Sequence, residues 1–89
     1  MHPRQRAVRV RVTVAGMLED YLPAGSDGAV TVETPPETTL LAVMQAAGIP
    51  DSAKPLISLN GTVVPRSQHA GRTVTDGDQV HFMPNLKGG

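Results

Sequence analysis

The chain contains no cysteine, which excludes disulfides, thiolate metal sites, iron-sulfur clusters and a cysteine nucleophile. Aromatic residues are almost as scarce: Tyr21 and Phe82 are the only two in 89 residues. A core must therefore be built from Val, Leu, Ile and Met, and a domain of this size leaves little volume for a catalytic pocket. Net charge is also lacking, since eight basic residues balance eight acidic ones. Nucleic-acid binding, which depends on neutralising phosphates with surplus cations, is not expected. Arg4, Arg6, Arg9 and Arg11 interrupt the apolar residues of the N-terminal stretch. No run there is continuous enough for a signal peptide or a membrane span, so a soluble, cytoplasmic protein without membrane partners is the expectation.

What the chain does have is alternation. Residues 7–15 read AVRVRVTVA, placing Val8, Val10, Val12 and Val14 on one face of a strand and Arg9, Arg11 and Thr13 on the other. Gly16 ends this strand, and Leu18, Tyr21 and Leu22 follow at helix-turn spacing until Pro23. A Pro-Ala-Gly-Ser-Asp-Gly loop leads to a second strand over 29–34, closed by Pro35 and Pro36. Thr39 is placed to cap a helix, and Leu40, Val43, Met44 and Ala47 form one apolar stripe at helical spacing. Gly48 and Pro50 end that helix. A third strand is expected over 54–59, then a tight turn at Asn60-Gly61, where both residues need positive φ, and a short return over 62–64. Residues 66–74 read as irregular loop and Asp76-Gly77-Asp78 as a turn. The last strand, 79–83, points Val80 and Phe82 inward and His81 and Met83 outward.

One domain with a mixed sheet of four to five strands and one helix across it is α+β. If the first and last strands lie side by side, the intervening crossover makes them parallel, which is the β-grasp arrangement. The final strand would then aim Pro84-Asn85-Leu86-Lys87-Gly88-Gly89 off the end of the sheet. The expected organisation is a β-grasp body over residues 1–84 and a flexible diglycine tail over 85–89.

The Leu-x-x-Tyr-Leu-Pro segment from Leu18 to Pro23, the helix end Ala47-Gly48-Ile49-Pro50 and the Leu59-Asn60-Gly61 turn all carry a resemblance. So do Asp76-Gly77-Asp78-Gln79-Val80 and the terminal Gly88-Gly89. In order and spacing they resemble the MoaD/ThiS family of ubiquitin-like sulfur carriers over nearly the whole length. The resemblance implies a co-substrate rather than an enzyme. Its Gly89 carboxylate would be adenylated by a separate ubiquitin-activating-type enzyme that uses ATP, then converted by a sulfur donor into a thiocarboxylate that serves a sulfur-accepting synthase or large subunit. No bound cofactor or metal is implied for the carrier itself. A glycine pair lacks Cβ atoms, so its backbone fits a narrow channel and comes close to a nucleotide.

The small subunit of molybdopterin synthase is the favoured likeness, with thiamin, cysteine and specialised-metabolite pathways open. The ending Leu86-Lys87-Gly88-Gly89 is also close to the Leu-Arg-Gly-Gly of ubiquitin, which keeps a lysine-conjugated modifier among the readings, beside a plain β-grasp interaction domain. For partner binding the sequence directs attention to Asn85, Leu86, Lys87 and Gly88. The outward sheet face formed by Arg9, Arg11, His81 and Met83 comes next, with Met83 expected beside the two arginines. His69 and His81 are read as structural or surface residues, since neither lies in a ligand pattern such as His-x-x-x-His.

Overall fold

The computed structural model describes residues 7–85. Strand β1 (Val8–Val14) alternates as its sequence demands, with all four valines buried and Arg9 and Arg11 exposed. It pairs antiparallel with β2 (Ala29–Thr34) on one side, Val10 facing Val32 and Val12 facing Val30. On its other side lies β5 (Gln79–Met83), running parallel. Strands β3 (Leu56–Leu59) and β4 (Thr62–Val64) complete a five-stranded sheet in the order β2-β1-β5-β3-β4. The last strand of the sequence is therefore the middle strand of the sheet.

This placement explains the core. Val80 stands between Val12 and Leu59, and Phe82 between Val14 and Ile57. These side chains are all buried and belong to one apolar cluster with Leu40, Val43 and Met44 of helix α1 (Leu40–Ala46). Thr39 caps the helix, its hydroxyl accepting from the Ala42 amide at 3.2 Å. After the helix the backbone turns at Gly48 with φ +90°. The β3–β4 turn has the two positive φ angles that its sequence requires, 51° at Asn60 and 90° at Gly61.

Two expectations need correction. The third strand begins at Leu56 rather than at 54, because a short 3-10 turn at Asp51–Ala53 ends with Lys54 in the left-handed region and Pro55 offers no amide to a ladder. The stretch 66–74 is more ordered than its composition suggests. It holds a 3-10 turn at Arg66–Gln68, and its carbonyls at Arg72 and His69 accept from the Leu40 and Leu41 amides. Those amides belong to the first helical turn and have no partner inside the helix. The loop thus completes the start of α1. His69 is buried here, its Nε2 3.0 Å from the Val64 carbonyl, which gives it a structural role.

Candidate functional site at the root of the tail

The parallel pairing of β1 and β5 gives the sheet two unlike ends. At the start of β5, polar groups close on one another. Asp78 accepts from Asn60 Nδ2 at 3.0 Å and from the Thr75 amide at 2.7 Å, while Asn60 Oδ1 accepts from the Gln79 amide at 2.9 Å. The Arg9 amide donates to Asp76 Oδ1 at 2.8 Å, and the Arg9 carbonyl accepts from Gly77. Burial works against the Asp78 charge, but hydrogen bonds from Asn60 and Thr75 and the charge of Arg72 outweigh it. Its carboxyl is held below the usual carboxylate range.

At the other end β5 leaves the sheet. The amide of Ala15 donates to the Phe82 carbonyl at 3.0 Å, and Pro84 then ends the strand, having no amide to continue a ladder. Pro84 lies over Gly16, where a Cβ would come within 3.2 Å of the proline Cγ; the glycine also has φ +60°. Both features favour glycine there, and the contact seats Pro84 against the end of β1. Beside this exit the 3-10 turn Gly16–Tyr21 buries Leu18 but leaves Met17 65% and Tyr21 43% exposed. With Asp20, Ala53, Pro84 and Asn85 these residues line a cleft of about 320 Å³. Leu56, paired with Met83 across the sheet, adds a further exposed apolar side chain at the same end.

Of the residues singled out in the sequence, Asn85 lies at this exit and lines the cleft. Leu86, Lys87, Gly88 and Gly89 lie outside the described residues. Arg9, Arg11, His81 and Met83 do share the outward face, but they do not form one cluster. Thr13 is level with His81 and Val14 with Phe82, so Met83 sits past the end of β1 while Arg11 is level with Gln79. At about 3.3 Å per residue this separates Met83 from Arg9 by roughly 20 Å. Met83 is therefore not beside the arginines; it belongs to the tail end. Arg9 is paired instead with Glu33 on β2 at 3.2 Å, both side chains being largely exposed. His81 Nδ1 is 2.6 Å from Thr13 Oγ1, so the half-buried ring is held within the face.

The cleft residues Met17 and Tyr21 were not singled out as binding residues by sequence reasoning, although Tyr21 falls in the Leu-x-x-Tyr-Leu-Pro segment. The available signal was Met17, an apolar side chain off the spacing of the buried Leu18 and Leu22. Among the described residues no three His, Asp or Glu side chains are grouped to hold a metal ion, and no helix is long and apolar enough to cross a membrane.

Comparison with solved structures bears on the fold. The protein is similar to the HVO 2177 protein of Haloferax volcanii, with a TM-score of 0.72, 16% identity, and coverage of 100% of this chain and 93% of the other. It is similar to small archaeal modifier protein 1 of H. volcanii, with a TM-score of 0.68, 13% identity, and coverage of 89% and 99%. Urm1 from Trypanosoma brucei gives a TM-score of 0.66 and 16% identity over 97% of this chain and 100% of that one. At such identities the likeness is one of fold, the ubiquitin-like β-grasp expected from the strand order. No curated protein matches the sequence. The profile of the ThiS family matches residues 23–89, a span that runs from the loop before β2 through to the terminal glycine. The chain belongs to the ThiS family, whose members are small ubiquitin-like carriers.

Proposed function

We propose that the protein is a sulfur carrier that works through a thiocarboxylate at Gly89. The observation that carries this reading is the family match extending to the terminal glycine of a chain whose central strand leads directly to that terminus. Residues 1–84 serve as the body and residues 85–89 as the presented tail. A carboxylate is a poor electrophile because the leaving group would be oxide. Attack of the Gly89 carboxylate oxygen on the α-phosphate of ATP, in a separate adenylating enzyme, expels pyrophosphate and gives an acyl-adenylate. A sulfide equivalent from the donor then adds to the carbonyl carbon and displaces AMP, leaving one sulfur where one oxygen had been. Transfer of that sulfur to an acceptor synthase, in cofactor or metabolite biosynthesis, breaks the carbon–sulfur bond, and water adding at the carbonyl carbon supplies the oxygen that restores the carboxylate. The chain supplies the terminus and its placement; ATP is bound by the partner.

The packing of Pro84 on Gly16 supports this division of labour, since a root held by the body loses less freedom when an enzyme draws in the terminus beyond it. Intact mass spectrometry after incubation with host extract, ATP and a sulfide source tests the proposal. The expected result is a mass gain of one sulfur in place of one oxygen, abolished by deletion of Gly89 with the melting temperature unchanged. Higher-mass adducts on lysines of other proteins, with no sulfur gain, would replace the carrier by a protein modifier.

A further inference from the structure

The tail end of the body carries more than an apolar cleft. Asp20 lines it, Glu19 and Asp51 lie on the two turns that contribute its walls, and Asp27 faces a second hollow that Glu19 and Asp20 also line. The loop that holds Asp27 is bound to the end of β1 through the Val14 amide and the Gly28 carbonyl. The helix exit before Asp51 packs on the same turn, with a Cβ at Gly48 coming within 3.1 Å of the Tyr21 carbonyl. All four carboxylates are exposed, and among the described residues none of them forms an ion pair. On a chain of zero net charge, Lys54 is the one basic residue among the described residues of these segments, so this end is acidic. At the start of β5, by contrast, Arg9, Arg11 and Arg72 stand among Glu33, Asp76 and Asp78. An exposed methionine and tyrosine beside exposed carboxylates suit a side chain with an apolar stem and a cationic head.

We infer that the cleft of Met17, Asp20, Tyr21, Ala53 and Pro84 is a docking site for an arginine of the adenylating enzyme. The inference rests on the carrier reading. Arginine fits better than lysine, because its planar guanidinium stacks on an aromatic face and also pairs in a forked geometry with a carboxylate. The site adjoins Pro84 and Asn85, so a protein that takes in the residues after Asn85 is necessarily brought against it. Its effect is on capture of the carrier, not on the chemical step. Asp20 is a positioning residue in this scheme, and the surrounding carboxylates raise the rate of encounter with a basic surface.

The test is ATP–pyrophosphate exchange by the purified host adenylating enzyme, titrated with intact carrier. Asp20→Lys should raise the KM for the carrier by about tenfold or more while leaving kcat within about twofold, as expected for loss of a charge pair used in docking. Glu37→Lys makes the same charge change in the turn before α1, away from the cleft, and should leave both parameters near wild type. Raising ionic strength should increase the wild-type KM and barely affect the Asp20→Lys value. Asp20→Asn is the milder second variant and should give a smaller increase in KM at an unchanged melting temperature. A KM for Asp20→Lys within about twofold of wild type, or an equal response to Glu37→Lys, would overturn the assignment while leaving the carrier reading intact. No exchange with wild-type carrier would remove both.

Discussion

The two ends of β5 differ in what holds them. At Asp76-Gly77-Asp78 the strand enters the sheet through a closed set of hydrogen bonds from Arg9, Asn60, Thr75 and Gln79. At Met83-Pro84-Asn85 it leaves among exposed apolar side chains and carboxylates that form no ion pair among the described residues. The first end directs the side chains of Asp76, Asp78 and Asn60 to partners within the body. The second keeps its surface unsatisfied, which costs the monomer little because solvent reaches it, and stays available for association. Internal hydrogen bonding and exposed apolar surface are thus divided along a strand of five residues.

Removing side chains along that strand should expose the division. The largest effect is expected for Phe82→Ala, since the ring is fully buried between Val14 and Ile57. A loss of about 3–5 kcal/mol should appear in chemical denaturation. Such a loss would leave a domain of this size near the limit of folding.

Asp78→Ala should cost about 1–3 kcal/mol, because it strands the Thr75 amide and one Asn60 donor. It should leave the KM for adenylation unchanged, as it lies at the end remote from the tail. The same carboxylate carries a pH signature. Its folded pKa lies below the unfolded value, so its contribution is fully present above the unfolded value, near pH 4, and is lost as pH falls through the folded one. Urea melts between pH 5 and 2 should show a decline that is shallower in Asp78→Asn.

The smallest change in stability, about 1–2 kcal/mol, is expected for Gly16→Ala, which places a Cβ at positive φ and against Pro84. This variant sharpens the contrast. Its main consequence should be a displaced Pro84, read as shifted amide resonances at Asn85, with a raised KM for adenylation. Unchanged resonances there would mean that Gly16 serves the turn alone.

Much of the body was legible because its signals are local or strictly periodic. The valines of β1, the Thr39 cap, the Asn60-Gly61 turn and the inward Val80 and Phe82 all follow from spacing and backbone chemistry. The parallel partnership of first and last strands followed from the crossover between them. What failed was longitudinal. Alternation tells which face a side chain occupies, but sliding one strand by two residues preserves every face. That is why Met83 was grouped with Arg9 and Arg11 when only the register separates them. The loop 66–74 was opaque for another reason: its hydrogen bonds go to the helix start, a partner more than twenty residues earlier, and polar composition does not reveal it. The cleft was missed because helical spacing grouped Tyr21 with Leu18 and Leu22 as one buried face, whereas Tyr21 is the last residue of the turn and stays 43% exposed.

The central position of β5 also has a consequence for biosynthesis. Thr13 and His81 meet across 68 residues, and until the last strand is made the β1–β2 and β3–β4 hairpins have no strand to join them. Such distant pairing is slow, because a long loop must close before the contact repays it. The sheet therefore cannot close until residues 79–83 have left the ribosome. A product truncated before β5 lacks the middle of its sheet and should fall to proteolysis.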